Sequence, residues 1–280
     1  MPFIVPIEVA RAEYPEYVFV CPLTPSEQKA AFHVRNAAGE DLCLKVINPN
    51  CRLDYLQREI LALQRIRHAH VARLREYVYA SKDGILKHHL VEEFIMGTDL
   101  SEGLRRNEPW PTERVSRFFS EVCDGLKAIH HENIVHRDLK PSNIRVRSDD
   151  SPVIIDLGVA RHLDLPDITN TSDGAAIGTP MYFAPEQFMG TKHDISHHTD
   201  LFAIGILVYQ AAVGRHPFCP ADVSLREAIC QSEAYKNVRE FRALPRGWQI
   251  LIQRLLAKER VDRPHDAALV SRVLRKLGEE

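Results

Sequence analysis

The prevailing hydrophobic period of this chain shifts from strand-like to helical near residue 94, and that shift limits the folds open to it. Before the change, "DLCLKVI" (residues 41–47) alternates, sending Leu42, Leu44 and Val46 to one face and Cys43, Lys45 and Ile47 to the other. A second short strand-like run, "HHLVEEF", follows at 88–94, and between the two "DYLQREILALQRIR" carries Leu56, Ile60, Leu63 and Ile66 at helical intervals. After the change the period is helical. "TERVSRFFSEVCDGLKAIHH" (112–131) sets Val115, Phe118, Phe119, Val122, Leu126 and Ile129 on one stripe, and 225–229, 248–256 and 267–277 repeat the habit. A small strand-rich lobe with one main helix, joined to a larger helical lobe, is an α+β architecture. The glycine-bearing "IMGTDLSEG" (95–103) is the expected connector, giving an N-terminal extension over 1–13, a small lobe over 14–94 and a large lobe over 104–280.

Composition excludes several function classes. The 280 residues are 45% hydrophobic and 26% charged, enough for a sizeable core, and the net charge of −2 argues against a nucleic-acid footprint or a polybasic membrane surface. The longest apolar run, "LFAIGILVYQAAV" (201–213), is shorter than the ~20 residues of a bilayer span and reads as a buried helix rather than a membrane insertion. "MPFIVPIEVARAEYPEY" has three prolines and early acids, which make a poor signal peptide. The 6 cysteines lie far apart with no C-x-x-C pair, so neither a zinc site nor a disulfide framework is expected. A soluble, cytoplasmic protein fits these features.

Chemistry concentrates at "HRDLKPSN" (136–143). Asp138 is a candidate base, Lys140 a fixed positive charge, and Asn143 a neutral oxygen donor for a hard cation. Pro141 resists helix and biases Lys140 to an extended shape, so the side chains radiate from a loop. Downstream, "VIIDLG" (153–158) is a buried-strand pattern that delivers Asp156 into a glycine turn, a natural place for a magnesium ligand. Taken alone, the first stretch also reads as a polar surface turn.

Together these stretches resemble the eukaryotic-like, Hanks-type serine/threonine protein kinase family, over nearly the whole chain from about Tyr17 to Leu277. The resemblance implies a bilobal protein-kinase-like fold. It makes Asp138 the catalytic base and Lys140 a contact to the γ-phosphate, with Asn143 and Asp156 holding Mg2+, Mn2+ being the alternative metal. Lys45 in "LCLKVI" would grip the α- and β-phosphates of ATP, and Glu59 in "REILAL" would pair with that lysine. Glu93 and Ile95 would offer backbone groups to adenine and Asp99 a hydrogen bond to the ribose. Cys43 would line the cleft beside Lys45. The stem of Arg145 would floor the adenine pocket with its head group in water. Leu63, Leu74, His136 and Leu157 would stack as the family's regulatory spine. Glu92 falls where the family's gatekeeper usually sits; a carboxylate is uncommon there, and it either faces solvent or pairs with a neighbouring cation. "GTPMYFAPE" (178–186) is similar to the substrate-docking segment, with Glu186 buried against Arg263 and Asp200 anchoring the catalytic loop. Arg137 would pair with a phosphate on the activation segment, at Thr171 or else at Thr169 or Ser172.

One family feature is missing. The window that should hold a glycine-rich phosphate loop reads "CPLTPSEQKAA" (21–31), with two prolines and no glycine. Phosphate contact would then come from groups such as Ser26, Gln28 or Lys29. The expected activity is ATP-dependent phosphorylation of serine and threonine in protein substrates, itself among them through activation-loop autophosphorylation. The alternatives are a pseudokinase acting as a binding scaffold and, further off, a small-molecule kinase. The oligomeric state is not legible in the sequence.

Overall fold

The alternation at 41–47 becomes the middle strand of a five-stranded antiparallel sheet. The computed structural model describes residues 2–26, 29–50, 60, 64–82, 85–156, 161–162, 180–189, 194–219 and 223–279. Its chain divides into two compact units, Met1–Arg67 with Ala72–Ile95, and His68–Val71 with Met96–Glu280. In the first unit β1 (Val18–Pro22), β2 (Lys29–Arg35), β3 (Asp41–Ile47), β4 (Leu74–Lys82) and β5 (Ile85–Glu93) run in the order β1-β2-β3-β5-β4. Phe19, Phe32, Val34, Leu42, Leu44, Val46 and Val91 form the core of this unit. Residues Ala10 and Tyr14, from and just after helix α1 (Ile7–Glu13), are buried in the same core, and Tyr14 meets His89 edge-on at 4.8 Å. Burying a side chain such as Phe32 or Leu44 is worth ~1.5–3 kcal/mol, so a few such positions hold the sheet face to its cover. Of the helix expected over 54–67, Ile60, Gln64 and Arg65 are helical, and Leu56, Glu59 and Leu63 lie outside the described residues.

In the second unit the helices are α2 (Leu100–Leu104), α3 (Thr112–His131), α4 (Pro185–Met189), α5 (His197–Val213), α6 (Leu225–Gln231), α7 (Arg239–Ala243), α8 (Arg246–Leu255) and α9 (Ala267–Gly278). The run at 201–213 lies within α5, which is buried on nearly every side and packs against α3, α7 and α8. A helix apolar all round is stable only when wrapped in this way. It starts at a reciprocal capping box between Ser196 and Thr199 and stops at Gly214, whose φ of 79° is the left-handed C-cap that favours glycine. Among the described residues no helix is long and apolar enough to cross a membrane.

Short strands complete this unit. β6 (Thr98–Asp99), β8 (Ile144–Val146) and β9 (Pro152–Ile154) form a three-stranded sheet in the order β6-β8-β9, and β7 (Ile134–Val135) pairs with β10 (Arg161–His162). The segment His68–Val71 belongs here too. His70 accepts the Ile154 N–H at its carbonyl (2.9 Å), and its ring meets the Pro152 carbonyl at 2.8 Å. Its backbone approaches α3 so closely that a Cβ on Gly125 would fall 2.8 Å from the His70 carbonyl oxygen.

Candidate active site

The loop 136–143 leaves β7 and is clamped from beneath by α5. Asp200, fully buried in the first turn of that helix, accepts the backbone N–H of His136 and of Arg137, each at 2.9 Å, and meets His130 Nε2 at 2.9 Å. Burial alone would push this carboxyl up, but the His130 hydrogen bond, the two neighbouring histidines and the Arg137 N–H together hold it below the usual carboxylate range. The clamp matters because Arg137 has a φ of 68°, a left-handed conformation that a side-chain-bearing residue keeps only when its surroundings impose it. Gln187 Nε2 donates to the Arg137 carbonyl at 2.9 Å, fixing the following peptide from α4.

So held, the loop converges its polar groups. Lys140 Nζ is 2.6 Å from Asp138 Oδ2, and Asn143 Nδ2 donates to the Asp138 carbonyl (2.8 Å) and to Oδ2 (3.2 Å). Pro141 opens a 3-10 turn, Pro141–Asn143, that carries Asn143 back over Asp138. The Asn143 carbonyl accepts the Ile155 N–H at 2.9 Å, which ties the exit of β9 to the loop and sets Asp156 beside it in a left-handed conformation, φ 62°. Since Nδ2 of Asn143 is turned to Asp138, the acceptor left for a cation is Oδ1. Among the described residues no three His, Cys, Asp or Glu side chains converge as a self-sufficient metal cage. One amide oxygen and one carboxylate suit magnesium, which keeps several waters and takes its remaining ligands from phosphate. Leu157, Thr169, Thr171 and Ser172 lie outside the described residues, as does Glu59.

In the first unit Lys45 is buried on β3. Its Nζ is 3.0 Å from Glu92 Oε1 and 2.8 Å from Oε2, and Glu92, on the adjacent β5, is only 4% exposed. The gatekeeper-position carboxylate is therefore interior and paired, and not in solvent. Cys43 is half-buried opposite Glu92 in the ladder, Glu93 ends β5, and Ile95 is buried just beyond it. The glycine-free loop closes on itself: the Leu23 N–H donates to the Ala31 carbonyl (2.8 Å), the Ser26 N–H to the Lys29 carbonyl (2.9 Å), and the Ser26 hydroxyl accepts the Lys29 N–H (3.1 Å). Phe3 adds a backbone hydrogen bond to the Ser26 carbonyl at 2.8 Å, and the Lys29 side chain is buried. Gln28 is outside the described residues.

Arg145 departs from expectation. Its head group is only partly in water: it pairs with Asp99 Oδ1 at 2.7 Å and donates to the Gly97 carbonyl, because Asp99 and Arg145 are register partners of β6 and β8. Asp99 is thus already engaged, and a ribose would have to share its carboxylate. Glu186 and Arg263 form a fully buried double contact, Nη1 to Oε1 at 2.7 Å and Nη2 to Oε2 at 2.9 Å, with Thr199 donating to the same carboxylate at 2.9 Å. Sequence reasoning missed His130 and Gln187. His130 had a signal, since it stands four residues after Leu126 on the buried stripe of α3.

Comparison with known proteins places these features. The family model described as a protein kinase domain matches residues 30–274. The serine/threonine-protein kinase PkaA of Streptomyces coelicolor is 32% identical over 88% of this chain and 45% of its own length. A serine/threonine-protein kinase of Myxococcus xanthus is 32% identical over 80% of this chain and 42% of its own, and one of Homo sapiens 32% over 74% and 42%. The chain spans less than half the length of these curated relatives.

Proposed function

The chain belongs to the Hanks-type serine/threonine protein kinase family, and on that premise we propose that it transfers the γ-phosphate of ATP to serine or threonine hydroxyls of proteins. The observation that carries this reading is the cluster in which Lys140 and Asn143 both bond the Asp138 carboxylate, in a loop clamped by Asp200. Phosphoryl transfer needs positioning and charge neutralisation more than covalent chemistry, and that cluster provides for both. Asp138 orients the acceptor hydroxyl and takes its proton. Lys140 balances the charge of the transferring group. Asn143 Oδ1 and the Asp156 carboxylate hold Mg2+, or Mn2+, which when bound neutralises phosphate charge. Lys45 binds the α- and β-phosphates, the Glu93 and Ile95 backbone meets adenine, Cys43 lines its site, and Asp99, braced by Arg145, reaches the ribose.

Arg137 is proposed to bind a phosphate added by the protein to its own Thr171, or to Thr169 or Ser172. Intact mass should then show added phosphate on active protein, lost with Thr171→Ala; active protein that carries none contradicts this. Among the described residues Cys21, Cys123, Cys219 and Cys230 form no disulfide, which supports a reducing, cytoplasmic setting. With labelled ATP and magnesium, the protein should label itself or a generic protein substrate, and Asp138→Ala should remove the signal.

A second reading has one observation in its favour. Pro22 and Pro25 have no N–H, and the amides of Leu23, Ser26 and Lys29 are used inside the hairpin. A loop so occupied suits a pseudokinase that binds partners. The lid contributes mainly binding and closure, whereas Asp138 and Asp156 serve the transfer itself, so the first reading stands ahead.

A further inference from the structure

The interior carboxylate at position 92 has no role in the reading above. β3 and β5 are neighbours, with Cys43 opposite Glu92 and Lys45 opposite Leu90, so Lys45 and Glu92 lie diagonally on one face of one sheet. Both carboxylate oxygens of Glu92 meet the ammonium, at 3.0 and 2.8 Å, and the two side chains are 5% and 10% exposed. A buried ammonium is costly without a counter-charge, and Glu92 provides it. Because both residues are strand residues of one hydrogen-bonded ladder, their spacing is set by backbone pairing and does not depend on where any helix sits.

We propose that Glu92 is a positioning residue for Lys45, holding its ammonium oriented for phosphate from the neighbouring strand. The proposal rests on the reading that Lys45 binds ATP. Glu92 then acts through Lys45 alone and touches neither phosphate nor acceptor. Its loss should weaken nucleotide binding while leaving the chemistry of bound nucleotide largely intact.

The test is calorimetric Kd for magnesium-ATP together with kcat at saturating ATP, on the full chain. Glu92→Gln removes the charge and keeps the shape; it should raise Kd about tenfold, as expected for loss of one charge-assisted hydrogen bond, with kcat changed less than about threefold. Glu92→Asp retains the charge, so it should fold where the glutamine variant does not, and should give an intermediate Kd. In a Lys45→Met background, Glu92→Gln should add no further loss of ATP affinity. The inference is overturned if Glu92→Gln, or Glu92→Asp should the former not fold, leaves Kd unchanged. It is also overturned if the loss persists in the Lys45→Met background. Wild-type protein that binds no ATP overturns the underlying reading as well, whereas wild-type binding with an unaffected Glu92 variant sinks this inference alone.

Discussion

Arg263 is the side chain on which the most buried polar structure depends. Besides its two contacts to Glu186 it donates to the carbonyls of Ala257, His198 and Lys258, so every arm of the guanidinium is used. Arg263→Met should cost ~3–5 kcal/mol in urea unfolding, because the Glu186 carboxylate would be left buried without its cation. Arg263→Lys should recover only part, since an ammonium cannot make the fork; a methionine variant as stable as wild type would contradict this. At this scale legibility in the sequence was uneven. Glu186 and Arg263 stand 77 positions apart, and only family resemblance links them. Alternation within β3 and within β5 does not give the register between them, so the pairing of Glu92 with Lys45 was not readable from either strand alone. The engagement of Arg145 by Asp99 was unreadable because it follows from the pairing of two very short strands.

The element that organises the site is α5. Its first turn delivers Asp200 to two amides of the loop, so the helix sets the geometry of residues that precede it by some sixty positions. Asp200→Asn keeps the shape but replaces one acceptor with a donor facing an N–H. It should lower kcat ~100-fold through misplacement of Asp138, with ATP affinity little changed. An unaltered kcat would show that the clamp does not govern the loop. Gly125→Ala would press a methyl on the His70 carbonyl and should destabilise by ~1–3 kcal/mol in the same unfolding assay. Elements with several turns or a clear alternation, namely β3, β5, α3, α8 and α9, were legible from period alone, and α5 from the length of its apolar run. β6, β7 and β10 were not, since two residues carry no period, and α1 is too short to show one.

For the molecule as a whole, pH provides a handle. Burial is the main cause that pushes His197 and His216 down to about 4, with the ring of His130, stacked on His197 at 4.2 Å, acting in the same direction on that residue. His216 uses one nitrogen towards the Met181 carbonyl and the other as acceptor for the Phe218 N–H, a pattern only the neutral ring can make. Unfolded histidines titrate near ~6.5, so between there and about 4 the unfolded chain binds more protons than the folded one. This contribution to stability is therefore present above the unfolded value and is lost as pH falls towards the folded one. Calorimetric Tm should drop by several degrees between pH 7 and pH 5, and His197→Phe should flatten that slope; a flat wild-type profile would contradict it. The two-unit α+β plan was readable from the shift of the prevailing period near residue 94, and the loop 136–143 stood out by its own residues. The central claim is that Asp138, held in that cluster, drives phosphate transfer. Its most direct measurement is magnesium-dependent transfer of labelled phosphate from ATP to protein by wild type and by Asp138→Ala: the account predicts transfer by the first and none by the second, and equal silence or equal labelling would contradict it.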